Sequence, residues 1–245
     1  MRKEFVIKLA DKNIGVSCIF DSTYDFCRAY ITENKADFNV IVSKDDIDFE
    51  SMKSARENIA EGHRVICYPD EYLETLALYR KIAEKMPAYN TLLFHGSVIA
   101  VDGEGYLFTA KSGTGKSTHT RLWKELFKDR AVMVNDDKPL LKITDSGVFA
   151  YGTPWNGKHH LGNNISAPLK VICFLKRAEN NSIAPVTKQA VYGELLQQCY
   201  RPAKIDSLKK TLVLLDLIAQ KVGFYQLFCN QNIEAAEISY HKMKG

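Results

Sequence analysis

The chain has no apolar run approaching the roughly 20 residues that a membrane-crossing helix needs. Its six cysteines (Cys18, Cys27, Cys67, Cys173, Cys199, Cys229) contain no C-x-x-C pair. They read as buried thiols of a reducing cytosol, not as bridges or zinc ligands. Charge of one dominant sign is also missing: 33 Lys and Arg stand against 29 Asp and Glu, a net of +4. With no basic run and no aromatic–basic interleaving, a nucleic-acid binder is not indicated. Met1 to Asn13 carries charges but no apolar core long enough for a signal peptide, so the expectation is a cytoplasmic chain that touches no membrane. Internal repeats and low-complexity segments are absent. What remains is ordinary globular composition, 46% hydrophobic and 25% charged over 245 residues. That length suits one large domain, or one domain with a smaller companion.

Against this plain background one run stands out: Ala110-Lys111-Ser112-Gly113-Thr114-Gly115-Lys116-Ser117-Thr118. It has the form [AG]-x-x-x-x-G-K-[ST] of a phosphate-binding loop, with Ala110 at the first position instead of Gly. Glycines let successive backbone N–H groups converge on phosphate oxygens. Lys116 brings a point charge to the outer phosphates, the Ser117 hydroxyl is a Mg²⁺ ligand, and the helix that follows adds its dipole. The predicted nucleotide contacts are Ser112, Gly113, Thr114, Gly115, Lys116, Ser117 and Thr118.

Around the loop, alternation and turn residues predict the organisation. Phe5 to Leu9 and Ile14 to Phe20 read as a hairpin turning at Asp11-Lys12-Asn13. Ser22-Thr23-Tyr24-Asp25 looks like a capping box opening a helix. Phe38 to Val42 and Val65 to Tyr68 read as strands, and Glu71 to Met86 as a helix stopped by Pro87. Residues 1–88 thus form an α+β lead-in, either a small domain or a lobe, and 89–245 a catalytic domain. Leu92 to Val101 is strand-like, and a turn at Asp102 to Gly105 returns it into Tyr106 to Thr109. This antiparallel hairpin feeding the phosphate loop differs from the strand–helix–strand rhythm of a doubly wound fold. A helix over Thr118 to Phe127 and a strand Ala131 to Val134 follow. Strands are expected over Leu140–Ile143, Val148–Tyr151, Lys170–Leu175 and Phe224–Cys229, with helices over Val191–Tyr200, Ser207–Val222 and Ile233–Lys242. The fold class is α/β (α+β): a mixed, largely antiparallel sheet with the phosphate loop and flanking helices.

Phosphoryl transfer needs a phosphate cradle, Mg²⁺, an orienting base and cations for the spreading charge. Asp136 and Asp137 end an apolar strand, and neighbours in extended backbone point opposite ways, so one acid suits the metal and the other an acceptor hydroxyl. His95, before Gly96, is a candidate to share a proton with an Asp, or is a satisfied, partly buried histidine. Gly152 to His160 is either a loop closing on phosphate, with Lys158 and two histidines as donors, or a surface loop. Arg177 either reaches phosphate or is a solvated strand end. His119 is placed near the nucleotide, Trp123 in packing.

Three features together, His95-Gly96, the loop Ser112 to Ser117 and Val134-Asn135-Asp136-Asp137, resemble the catalytic domain of HPr serine kinase/phosphorylase. By extension they resemble the phosphoenolpyruvate-carboxykinase-like nucleotide fold. The likeness covers residues 90–180. It implies a Mg²⁺- and ATP-dependent kinase, with GTP allowed, acting on a serine-type hydroxyl of a protein, peptide or small molecule. It implies Lys116, Asp137 and His95 as catalytic residues, with Asp137 the base coupled to His95, and Ser117 and Asp136 as metal ligands. The sequence departs from that family at Thr118, where Glu is usual, and at Asn135, where Ala is usual. It therefore looks like a divergent stand-alone relative, with assembly into a homo-oligomer allowed. A nucleotide-binding regulatory module and a carboxykinase-like enzyme are the alternatives.

Overall fold

A computed structural model describes residues 2–60, 62–111, 113–157 and 160–245. The chain divides into two compact units, the first ending at Lys85 and the second starting at Met86.

In the first unit, β1 (Lys3–Leu9) and β2 (Lys12–Cys18) form the expected hairpin, with β3 (Phe38–Ile41) running parallel to β2. The turn lies at Ala10 and Asp11, which take φ of 46° and 61°, while Lys12 and Asn13 already pair in the ladder. That is a two-residue turn whose twist matches the strands. Ile7, Leu9, Ile14 and Val16 are buried. They lie in the same unit as α1 (Asp21–Phe26), α2 (Lys44–Ala60) and α3 (Asp70–Lys85). The capping box expected at Ser22 to Asp25 is not used. Helix α1 begins at Asp21 with Phe20 before it and no side-chain cap from that residue. Instead the buried carboxylate of Glu74, from α3, accepts the Ile19 N–H (2.5 Å), the Phe20 N–H (3.1 Å) and the Thr23 hydroxyl (2.6 Å). A tertiary partner does the work of a local motif. Val65 to Tyr68 is not a strand either: no ladder partner lies beside it among the described residues, and Val65 and Ile66 are half exposed.

The second unit is built on a nine-stranded sheet. Its strands are β4 (Thr91–Leu93), β5 (Ser97–Val101), β6 (Glu104–Thr109), β7 (Ala131–Asn135), β8 (Leu140–Thr144), β9 (Gly147–Tyr151), β10 (Ser166–Arg177), β11 (Ser182–Pro185) and β12 (Gly223–Cys229). The main path runs β4-β8-β9-β10-β6-β5-β7, with β12 also beside β10 and β11 beyond β12. Only β10 makes parallel pairs here, with β6 and β12; every other pairing in this sheet is antiparallel. The mixed, largely antiparallel α/β class is therefore observed. Period-two alternation splits the sheet's side chains cleanly. Val98, Leu107, Ile172 and Phe174 enter one core with α5 (Lys188–Gln198) and α6 (Ile205–Lys221). Their neighbours Ile99, Tyr106, Phe108, Val171 and Cys173 enter a second core with α4 (Lys116–Phe127) and α7 (Ile233–Lys244). The unit is thus helices, sheet, helices, with strands buried on both faces.

Candidate functional site

The phosphate loop leaves the end of β6 and enters α4. Gly113 and Gly115 take φ of 73° and 123°, conformations that L side chains rarely adopt, although open space surrounds both positions. Glycine is required here by backbone shape, not by crowding. Helix α4 has Gly115 as its N-cap, a residue with no side chain to cap the first N–H groups. Lys116, the first residue of α4, is buried and folds back so that its ammonium lies 3.4 Å from the Ala110 carbonyl oxygen. Burial pulls the Lys116 pKa below its ordinary value, partly opposed by Asp137. Ser117 is exposed and Thr118 partly so, both in the first turn. Ser112 and Lys158, of the predicted phosphate contacts, lie outside the described residues, as does His159.

The strand expected over Leu92 to Val101 is broken at 94–96, because β4 pairs β8 while β5 pairs β6 and β7. The three-residue link is fixed by backbone bonds to two other segments, the β7–β8 connection and the end of α5. Phe94 N–H donates to Pro139 O, His95 N–H to Gln198 O at 2.8 Å, and Gly96 N–H to Asp137 O at 2.9 Å. A Cβ on Gly96 would meet Leu107 Cδ2 at 2.8 Å and the Phe108 carbonyl oxygen at 3.0 Å, which explains the glycine after His95. The result places His95 Nε2 3.3 Å from Asp137 Oδ1, with the Lys138 ammonium 3.6 Å from the same oxygen. On the other side, His95 Nδ1 is 2.9 Å from the side-chain amide of Gln198. Burial lowers the His95 pKa; the Asp137 hydrogen bond opposes this, while Lys138 and Lys116 reinforce it. Burial works against the Asp137 charge, but His95, Lys138 and Lys116 outweigh it and hold the carboxyl below its ordinary value. At neutral pH the pair is a neutral imidazole beside a carboxylate. Of the three predicted catalytic residues, the structure brings His95 and Asp137 within 3.3 Å, and the Lys116 charge acts on both.

Asp136, in the bend just after β7, engages different partners from Asp137. It is buried, its Oδ1 accepts the Gly157 N–H at 2.6 Å, and its Oδ2 has no hydrogen-bond partner among the described residues. The acid pair is shaped by a residue the sequence reading passed over. Asn135 is fully buried; its Oδ1 accepts the N–H groups of Asp137 (2.9 Å) and Lys138 (2.6 Å). Its Nδ2 donates toward Thr153 and Asn156. Asn135 therefore turns the chain after β7 and ties it to the 152–157 segment. Gln198 is the second residue missed; nothing near it in sequence signals a histidine partner. Arg177 is an exposed strand end that is nevertheless engaged by the loop. Its guanidinium bonds the carbonyl oxygens of Gly113 and Thr114. His119 is buried against Phe108, and its Nε2 accepts the Trp123 indole N–H at 3.1 Å.

Two cavities flank the phosphate loop. The larger, about 770 Å³, has Lys111, Gly113, Lys176, Glu194 and Gln198 in its wall. The smaller, about 330 Å³, lies against Thr114, Gly115, Thr118, His119 and Asn230. Arg177 borders both. Among the described residues no cluster of three His, Cys, Asp or Glu side chains forms a metal cage, and no helix is long and apolar enough to cross a membrane.

The family model "SynChlorMet cassette protein ScmC" matches residues 70–204. No curated protein matches the chain. Among solved structures the chain is similar to the HPr(Ser) kinase/phosphatase from Coxiella burnetii, at 13% identity and a TM-score of 0.36, over 62% of this chain and 99% of that one.

Proposed function

We propose that this chain, which belongs to the SynChlorMet cassette protein ScmC family, is a Mg²⁺- and nucleotide-dependent phosphotransferase acting on a hydroxyl acceptor. The observation that carries this reading is the 3.3 Å approach of His95 Nε2 to Asp137 Oδ1, with the charge of the loop lysine Lys116 acting on both. A phosphate cradle alone indicates binding; a charged carboxylate beside a neutral imidazole, both within the field of the loop lysine, adds a base. ATP is the proposed donor, with GTP an alternative, because the phosphate loop itself reads no base. The family name names no acceptor.

Asp137 takes the proton of the acceptor hydroxyl. The acceptor oxygen forms its bond to the terminal phosphorus as the bond to the bridging oxygen breaks, and the nucleoside diphosphate leaves. His95 Nε2, 3.3 Å from Asp137 Oδ1, fixes the position of that carboxylate. Lys116 and the first N–H groups of α4 offset charge on the phosphate oxygens. Mg²⁺ typically keeps several waters and takes one or two protein ligands plus phosphates. The Ser117 hydroxyl and the unpartnered Asp136 Oδ2 are the donors that would hold it. Bound there, the ion would supply neutralisation of phosphate charge.

Labelled Mg-ATP incubated with the protein and candidate acceptors (serine peptides, small alcohols) tests this. Asp137→Asn is expected to abolish label transfer while sparing nucleotide affinity. Transfer that survives the substitution removes Asp137 from the role. Tight binding by the wild type with no transfer to any acceptor would favour a nucleotide-binding regulatory module instead.

A further inference from the structure

We infer that Arg177 is a positioning residue that locks the phosphate loop into its anion-binding shape from outside, without itself touching phosphate. The inference rests on the nucleotide-binding reading above. Arg177 ends β10, which runs parallel to β6 in a register that pairs Phe174 with Thr109. The two strands therefore release their C-terminal ends side by side: β6 into the loop, β10 into Lys176 and Arg177. From there the Arg177 Nε donates to the Thr114 carbonyl oxygen at 3.1 Å, and Nη2 to that of Gly113.

A trans peptide is planar, and its C=O and N–H point in opposite directions. No peptide bond in the described chain is cis. Holding the Thr114 carbonyl on Arg177 therefore turns the Gly115 N–H away from the guanidinium. The peptide before it is held twice, its carbonyl by Arg177 and its Thr114 N–H by the Lys111 carbonyl oxygen at 3.2 Å. The peptide after it is held by the helix, since Gly115 O accepts the His119 N–H at 2.9 Å. Three successive peptide planes are thus pinned, and Arg177 pins two of them. These planes contain Gly113 and Gly115 in conformations that few residues restrain on their own. A flexible glycine loop that is fixed beforehand loses less entropy when an anion arrives.

The planar fork matters more than the charge. Lysine keeps the charge but offers a single point donor and cannot hold two adjacent carbonyls in one geometry. Titration calorimetry of the full chain with Mg-ATP and Mg-ADP, for the wild type, Arg177→Lys and Arg177→Ala, separates the roles. Both variants are expected to lose affinity about tenfold or more, equally for ATP and ADP, because both nucleotides use the loop's N–H groups. Amide exchange at 114–118 in the ligand-free variants should rise while the unfolding midpoint stays near that of the wild type. A loss confined to ATP, or full rescue by lysine, means the cation touches phosphate and overturns the inference. Wild-type affinity in both variants also overturns it. If the wild type itself binds no nucleotide, the functional reading fails, and the exchange measurement alone decides whether Arg177 orders the loop.

Discussion

His119 carries a large acid liability. It sits in the first turns of α4, only 2% exposed, with Phe108 against its ring, Trp123 donating to Nε2 and Nδ1 without a partner. Burial alone lowers its pKa from 6.5 to about 3. The folded ring therefore stays neutral down to about pH 3, whereas the unfolded ring protonates near 6.5. Between those values the unfolded state binds more protons, so stability is full above 6.5 and is lost as pH falls below it. At about 1.4 kcal/mol per pH unit of separation, lowering the pH from 7 to 5 costs about 2 kcal/mol through this one side chain. His95, also depressed by burial, adds in the same direction, while Asp137, held below its ordinary value, contributes only at lower pH. The chain's two tryptophans are Trp123 and Trp155. Both lie in the second unit, so indole emission during urea unfolding follows that unit by itself. His119→Gln keeps an acceptor for the Trp123 N–H and removes the titration. Wild type and variant are each measured at pH 7 and pH 5. The variant should lose about 2 kcal/mol less than the wild type over this interval. Equal losses in the two proteins would refute the argument.

Lys116→Ala should remove most of the thermal stabilisation given by Mg-ATP, which for the wild type at a hundredfold excess over Kd is about 2.7 kcal/mol; an undiminished shift in scanning calorimetry would place the nucleotide elsewhere. Asn135→Ala leaves two N–H groups without their acceptor in a buried turn, and about 2–4 kcal/mol of destabilisation is expected in the tryptophan-reported transition. A loss below about 0.5 kcal/mol would mean that other groups shape the acid pair. Glu74→Ala should speed amide exchange at Ile19 and Phe20 at least tenfold, since their acceptor is lost; unchanged protection would show that α1 is held some other way.

Features with local causes were legible in the sequence. The phosphate loop, the β5–β6 hairpin and the period-two alternation of β6 and β10 each depend on residues within a few positions of one another. The strand expected to carry Asp136 and Asp137 stops one residue short of them, so their separate partners come from the bend that follows, not from alternation. The Asn135 side chain accepting N–H groups two and three residues on is a local turn that its position before two acids does signal. What the sequence hid was tertiary. Ser22 to Asp25 carries a good capping pattern, yet Glu74 replaced it from another helix. The break in the Leu92 to Val101 run is invisible because both halves are apolar and only their ladder partners differ. The edge strand β11 is short and mostly exposed, so no alternation marked it. Gln198 meets His95 across 103 residues of chain, beyond any spacing argument.

That last separation bears on how the protein comes to life in the cell. The β5–β6 hairpin and the loop it feeds are near neighbours in sequence, and such contacts close early. The clamp on His95 closes only when α5, far downstream, has docked. The lock on the loop closes only when Arg177 arrives with β10, and the clamp on His95 later still, when Gln198 does.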